Sequence, residues 1–105
     1  MKVFNLETKD ILDYEKEIGL ELEVRERRNV ATVNRYYAHF KEMEIMENHC
    51  LISVVGDGPT INEAIEDYCK RISNKDVAIN PCTKNRVNIT TPTLIYIPAH
   101  HSLHK

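Results

Sequence analysis

Residues 56–75, GDGPTINEAIEDYCKRISNK, are the segment that decides the fold. Thr60 is followed three positions later by Glu63, which is the spacing of a helix-initiating capping box. Acidic residues lie near the start of the segment and basic residues near its end, as the helix dipole favours. Apolar residues recur at helical spacing and form one stripe: Ile61, Ala64, Ile65, Tyr68 and Ile72. The sequence therefore predicts an amphipathic helix over 60–73, anchored on a sheet by Ile61, Tyr68 and Ile72.

Strand patterns precede this helix. Apolar and charged residues alternate over 20–25, which is typical of a strand with one covered face. The same alternation over 36–40 slips by one position before Met43 and Ile45. This slip predicts a bulge near Lys41 or Glu42, and the alternative is an unusually twisted strand. Residues 47–49 then indicate a turn, and the apolar run over 50–55, CLISVV, indicates the second, central strand of a hairpin.

The two ends of the chain complete the pattern. Residues 8–18 have helical spacing and are followed by Gly19 as a stop signal, whereas residues 29–34 indicate a loop. Three short strands are predicted over 77–80, 86–90 and 93–97, and the prolines at 81 and 92 favour edge positions for them. The predicted fold class is α+β: an antiparallel sheet of three to five strands with two helices on one face, in the order α-β-β-β-α-β and then short C-terminal strands. We expect a single α+β domain over 1–97 and a mobile tail over 98–105.

Composition describes one ordinary domain. The chain has 105 residues, 42% of them hydrophobic, and a formal net charge of −2, so a second independent core is not expected. No apolar window is long enough for a membrane span and the N-terminus does not read as a signal peptide, so we expect a cytoplasmic protein without membrane contact. Cys50, Cys69 and Cys82 are odd in number and lack C-x-x-C spacing, which indicates reduced thiols, with Cys50 and Cys69 buried.

Patterns associated with catalysis or cofactor binding are weak. Gly56-Asp57-Gly58 lacks the lysine of a phosphate-binding loop and is interpreted as a tight turn that needs glycine backbone freedom. His39 and His49 fall on neighbouring predicted strands, but no motif fixes a metal pair or an acid–base dyad there. We therefore expect no enzyme activity, no catalytic residues, no metal and no cofactor.

One local patch is a candidate for nucleic-acid binding. It consists of Arg25, Arg27, Arg28, Arg35 and Tyr37, all near the first and second predicted strands. Arginine with an interleaved aromatic residue is a common composition of nucleic-acid interfaces. The alternative is that Glu21, Glu23 and Glu26 neutralise these arginines on a solvated strand face, and the interspersed signs favour that interpretation.

The stretch from YYAHF at 36–40 to the end of the helix at 72 resembles HicB-type antitoxins. Their mark is a hairpin, a glycine loop and a helix that opens with G-x-T-x-x-E-A. The matching residues are Gly58, Thr60, Glu63, Ala64 and Ile65. The resemblance covers roughly residues 20 to 80, and it implies a partly degenerate double-stranded-RNA-binding-like fold, a homodimer, and neutralisation of a small ribonuclease toxin by contact. It does not extend to a C-terminal DNA-binding segment.

The order α-β-β-β-α is also similar to that of a double-stranded RNA-binding domain. Members of that family begin the second helix with lysines that grip phosphate, whereas this helix begins with Glu63, Glu66 and Asp67. In general style the chain looks like small uncharacterised proteins encoded by phages and prophages of Gram-positive bacteria.

Together these features predict a small non-catalytic binding module that acts through protein–protein contacts of a sheet edge or an open sheet face. It would be a homodimer, either antitoxin-like or a phage-encoded accessory protein. The alternative is a nucleic-acid-binding protein that uses the arginine and tyrosine patch.

Overall fold

The computed structural model describes residues 7–28 and 33–101. Two α-helices and nine strands occur in this part of the chain. In chain order they are β1 (Thr8–Asp10), α1 (Ile11–Ile18), β2 (Leu22–Glu26), β3 (Tyr36–Phe40), β4 (Met43–Glu47), β5 (Cys50–Ile52), β6 (Gly56–Gly58), α2 (Ile61–Ile72), β7 (Asp76–Ile79), β8 (Val87–Thr90) and β9 (Thr93–Ile95), followed by a 3-10 helix (Pro98–His101). Most of the predicted 29–34 loop and the last four residues of the predicted tail lie outside the described residues.

The α+β class predicted from the sequence is confirmed. Its strands are shared among an antiparallel sheet of three strands in the order β2-β3-β6, an antiparallel sheet of four in the order β5-β4-β7-β8, and a parallel pair of β1 with β9. Helix α2 packs on the three-stranded sheet and also contacts β9. The parallel pair brings the two ends of the described chain together, which the sequence pattern did not indicate.

The first helix is shorter than predicted. Residues 8–10 form a strand, and the helix begins only at Ile11 because the Asp10 carboxylate caps it by accepting the N–H of Leu12 at 2.9 Å. Its predicted end is confirmed, since Gly19 has a positive φ of 73° and donates its N–H to Glu15 O at 3.0 Å. The short polar side chain of Asp10 thus separates an extended segment from a helical one.

The predicted slip at residues 41–42 marks the passage from one sheet to another. Ala38 and Phe40 are buried before it and Met43 and Ile45 after it, so both apolar phases face the core. Glu42 has a positive φ of 62° and its carbonyl oxygen accepts the N–H of Asn80 at 2.8 Å. The expected bulge is therefore a two-residue turn that carries the chain from β3 into β4 of the four-stranded sheet.

The prediction that the 50–55 strand is central was wrong. A tight turn at Asn48 and His49, both with positive φ, joins β4 to β5, and β7 then occupies the other side of β4. Strand β5 is therefore an edge strand of three residues. Cys50, predicted to be buried, is exposed for the same reason.

Two glycines allow α2 to lie directly on β6. A Cβ atom at Gly58 would lie 2.6 Å from Ala64 N, and one at Gly56 would overlap Tyr68 N and Ala64 O. The prediction of a tight turn at 56–58 was thus wrong: these residues form a strand that pairs with β3, and neither glycine has a positive φ. Glycine is required here for space.

The predicted helix cap is present, but the buried stripe is displaced. Thr60 Oγ1 accepts the N–H of Glu63 at 3.1 Å. The buried residues of α2 are Ala64, Ile65, Tyr68, Cys69 and Ile72. Ile61, predicted to be an anchor, is 49% exposed because the first residue of the helix lies beyond the end of β6.

The C-terminal strands differ in position. Of the three predicted pieces, β8 is an edge strand, and β9 pairs with no described strand other than β1. Strand β7 is not an edge strand as the prolines suggested, because it lies between β4 and β8. Thr91, the buried polar residue of the β8–β9 connection, donates its hydroxyl to Ile72 O and accepts Lys75 N–H at 2.9 Å, which ties this connection to the end of α2.

Tyr68 links α2 to the middle of the core. Its ring contacts that of Phe40 edge-on at 5.9 Å, and its hydroxyl oxygen accepts the backbone N–H of Phe40 at 3.0 Å. Tyr14 packs on the Phe40 ring at 6.4 Å. Because both groups of the hydrogen bond are buried, its loss would leave an unpaired backbone donor in the core.

We expect Tyr68→Phe to lower the free energy of unfolding by about 1–3 kcal/mol, as measured by urea denaturation at neutral pH. Tyr37→Phe is the matched control, because Tyr37 lies on the face of β3 that points away from α2, and it should change stability by less than about 0.5 kcal/mol. Equal effects of the two substitutions would contradict this account of the Tyr68 hydroxyl.

Tyr68 also predicts a loss of stability in alkaline solution. Burial raises the pKa of Tyr68 from 10.0 to about 12. The unfolded chain therefore loses this proton first, so the contribution to stability is complete below about pH 10 and disappears as the pH rises towards about 12. Between these two pH values, the free energy of unfolding of the native protein should fall by about 2–3 kcal/mol more than that of Tyr68→Phe. If the free energy of unfolding changed with pH in the same way in the native protein and in Tyr68→Phe, this role of Tyr68 would be ruled out.

Candidate binding face of the three-stranded sheet

One face of the three-stranded sheet is covered by α2, and the opposite face carries polar and aromatic side chains. The strand register pairs Glu23 with His39, and Arg25 with Tyr37, which in turn pairs with Asp57. Because side chains alternate along a strand, these residues point to the same side. We call this surface the open face and define it by Glu23, Arg25, Arg27, Tyr37, His39 and Asp57.

Arg27 is the best-anchored side chain of the open face. Its guanidinium group donates to Asp57 Oδ1 at 2.5 Å and to the backbone carbonyl oxygen of Asn34 at 2.9 Å. Its Cζ atom lies 4.8 Å from the centroid of the Tyr37 ring, in a cation–π contact. Three different partners therefore hold the planar guanidinium group in one position.

The aromatic residues form a short row beside this anchor. The rings of Tyr37 and His39 are stacked, with centroids 6.2 Å apart and planes inclined by 11°. His39 Nε2 lies 3.4 Å from Glu23 Oε1 on the neighbouring strand. Arg27, directly after β2, thus forms a continuous ribbon of flat side chains with Tyr37 and His39 of β3.

The charges on and beside the open face neutralise each other. Glu23 pairs with Arg25 at 3.2 Å, and the Arg25 hydrogen bond lowers the pKa of Glu23 below its ordinary value. Arg35 pairs with Glu26 at 2.6 Å, and Lys41 lies 3.8 Å from Glu21. Of the patch predicted from sequence, Arg25, Arg27 and Tyr37 come together on this face. Arg35 lies beside them, and Arg28 is exposed beyond the end of β2 with no salt bridge to a described residue.

Neutralisation by the three glutamates is thus only part of the arrangement. Glu23 and Glu26 each pair with an arginine, as that interpretation expects, but Glu21 lies near Lys41 instead. Asp57 is the partner of Arg27, and it could not be predicted because it lies 30 positions away in sequence. The inclusion of His39 could have been inferred, since it has the same strand parity as Tyr37.

Asp57 also connects the open face to α2. Its backbone N–H donates to Asp67 Oδ2 at 2.9 Å, and the same oxygen accepts from Arg71 Nε at 2.8 Å. Burial by itself would raise the pKa of Asp67, but the hydrogen bonds from Asp57 and Arg71 outweigh it and lower this pKa. The Asp67 carboxylate therefore stays ionised and holds the helix to the strand.

The other sequence candidates are not assembled into a site. His39 lies on the three-stranded sheet, whereas His49 occupies the turn between β4 and β5. Cys69 is buried, and burial raises the pKa of its thiol to about 12, so the thiolate needed for reactivity does not form near neutral pH. Over residues 7–28 and 33–101, no group of three histidine, cysteine, aspartate or glutamate side chains could hold a metal ion.

Comparisons with known proteins give no relatives. No family model matches the chain, and neither a curated protein nor a solved structure matches it significantly. In the described part of the chain, neither helix has the length and apolar character needed to cross a bilayer.

We expect Arg27→Gln to destabilise the protein by about 1–2 kcal/mol in urea denaturation, because it removes the contacts with Asp57, Asn34 and Tyr37 together. Arg25→Gln, in β2 and two residues before Arg27, is the matched control. Arg25 is 60% exposed and contacts Glu23, so its substitution should leave the free energy of unfolding unchanged. The anchoring role of Arg27 would be refuted if both variants unfolded at the same urea concentration.

Proposed function

We propose that this protein is a small non-catalytic binding module that contacts another protein through its open face. The observation that carries the proposal is the ribbon formed by Arg27, Tyr37 and His39, whose members are held by neighbouring side chains. Tyrosine and arginine are enriched in protein interfaces. A face that is already ordered loses little conformational entropy when a partner binds to it.

The charge pattern of this face favours a protein over a phosphate backbone as its partner. The described cations on or beside it, other than Arg28, lie opposite carboxylates: Arg25 with Glu23, Arg27 with Asp57, Arg35 with Glu26 and Lys41 with Glu21. Phosphate binding relies on cations that are free to replace condensed counterions. A balanced pattern instead suits a partner with complementary charges of both signs.

Homodimer formation through β8 is a further part of the proposal. Strand β8 is an edge of the four-stranded sheet, and its sequence Val-Asn-Ile-Thr contains no charge that would discourage pairing. Val87 is 51% exposed there. Antiparallel pairing of two β8 strands about a twofold axis would join two four-stranded sheets into one.

The biological setting belongs to the same proposal. An antitoxin-like role or a phage-encoded accessory role draws support from the unit of hairpin, glycine strand and capped helix that resembles HicB-type antitoxins. An antitoxin-like role requires contact with another protein. A cytoplasmic location is proposed from the odd number and wide spacing of the three cysteines.

A nucleic-acid-binding function is the second candidate, because Tyr37 and the arginines lie together on an open sheet surface. Its test is fluorescence anisotropy with labelled single-stranded RNA and duplex DNA at about 50 mM salt, followed by a salt titration. Binding that weakens steeply with salt and is lost in Tyr37→Ala would favour this function. Absence of binding at low salt would remove it.

The protein-binding proposal predicts a partner whose capture depends on the open face. We expect the native protein, immobilised, to retain one host protein in near-stoichiometric amount, and the double variant Arg25→Glu, Tyr37→Ala to lose it. Ile61→Lys is the matched control and should retain the partner, because Ile61 is exposed at the start of α2, on the side of the sheet opposite the open face. Equal retention by all three baits, or none by the native protein, would contradict the proposal.

Dimer formation through β8 predicts that a single substitution in this strand lowers the mass of the protein in solution. Val87→Lys should place two ammonium groups at the β8 contact and convert the dimer to a monomer in sedimentation velocity, whereas Ile61→Lys should leave the dimer intact. A native protein that is monomeric at every concentration would exclude dimer formation through β8.

A further inference from the structure

A second surface, on the four-stranded sheet, combines an apolar floor with a basic wall. A groove of about 240 Å³ lies between the β4–β5 hairpin and the last turns of α2. Its apolar residues are Ile45, Ile52 and Val54, its basic residues are Lys70, Arg71 and Lys75, and Glu47 is acidic. Ile52 is 38% exposed, so the floor remains accessible. The groove thus carries an excess of positive charge on a chain whose net charge is −2.

The two lysines of the groove are available to a ligand. Arg71 is held by Asp67, but neither Lys70 nor Lys75 forms a salt bridge with another described residue. The backbone of Lys75 is fixed, because its N–H donates to the Thr91 hydroxyl and its carbonyl oxygen accepts the N–H of Thr91, each at 2.9 Å. Lys70 lies within α2, so both ammonium groups project from an ordered backbone.

The groove lies beside a free strand edge. Among the strands that the structure describes, β5 pairs with β4 alone, through Glu47 with Cys50 and Ile45 with Ile52 at the two ends of the register. Since hydrogen-bonded pairs alternate along an antiparallel ladder that begins at a two-residue turn, the N–H and C=O of Leu51 point away from β4. Neither group has a hydrogen-bond partner among the described residues.

From these observations we propose that the groove binds an extended acidic segment of another protein, which adds as a strand to β5. The free N–H and C=O of Leu51 hydrogen-bond to the backbone of the added strand. Alternate side chains of that strand then enter the groove, where an aliphatic one contacts Ile52 and an aspartate or glutamate meets Lys70 or Lys75. This site is separate from the open face and does not rest on the function proposed above.

A second copy of this chain is a poorer occupant. Twofold pairing of two β5 strands would place both grooves on the same face of the joined sheet, with Lys70 and Lys75 of one copy near those of the other. Like charges brought together in this way oppose association. The charge of the groove therefore selects an acidic segment.

The probe is a phage-displayed library of random peptides, selected on the native protein. We expect a consensus in which Asp or Glu alternates with Val, Ile or Leu. The double variant Lys70→Glu, Lys75→Glu should bind a synthetic consensus peptide about tenfold more weakly, and selection on it should enrich Lys or Arg instead. Lys16→Glu, Lys84→Glu carries the same change of charge outside the groove and should bind as the native protein does.

The strand addition is tested at Leu51. Proline there removes the outward N–H but no hydrogen bond of the β4 ladder, so Leu51→Pro should abolish peptide binding, whereas Leu51→Ala should retain it. If Leu51→Pro fails to fold, two versions of the consensus peptide are tested instead, N-methylated at the odd or at the even residues. One version should lose binding, because its methyl groups replace the N–H hydrogens that face β5, and the other should retain it.

Three results would overturn the proposal. One is a selection that enriches no peptide, or a consensus without acidic residues. Another is binding that the exchange of the two lysines does not weaken. The third is a dimer of the native protein that Leu51→Pro dissociates, because the edge would then belong to a second copy of the chain.

Discussion

The contact between α2 and β6 is the constraint on which the rest of the structure depends. The helix lies so close to the strand that a side chain at Gly56 or Gly58 would overlap its backbone. This short separation lets the hydroxyl of Tyr68 reach the N–H of Phe40 at the end of β3. Because strand side chains alternate, two glycines beneath the helix also force Asp57 to the opposite side, where it meets Arg27. The packing of the core and the order of the open face therefore have one origin.

Local features of this fold could be predicted from the sequence, whereas pairings between distant segments could not. The cap at Thr60, the stop at Gly19 and the slip near Glu42 each depend on a few neighbouring residues, and each is present. The distribution of strands among three sheets depends on contacts between segments far apart in sequence, which hydrophobic periodicity does not encode. The central position predicted for β5 was wrong for this reason.

The Gly56-Asp57-Gly58 segment shows how composition can mislead. Glycine flanking aspartate is a common turn composition because glycine tolerates positive φ, yet both glycines here have ordinary strand backbone. What the site requires is the absence of a Cβ atom, and only the position of the helix reveals that requirement. The same limit applies to the candidate site: the strand parity of Tyr37 could be read from the sequence, but the partner of Arg27 could not.

Asp67 connects the two surfaces to which binding is assigned, and it determines the charge of each. Its carboxylate accepts the N–H of Asp57 on the open-face side and the guanidinium group of Arg71 on the groove side. Arg71 is thereby neutralised, and the positive charge offered by the groove comes from Lys70 and Lys75. On the other side, Asp57 is held where its own carboxylate neutralises Arg27. The half-exposed Asp67 carboxylate thus helps to balance the open face and removes one cation from the groove, whereas Lys70 and Lys75 keep the groove cationic, so the two surfaces suit partners of different chemistry.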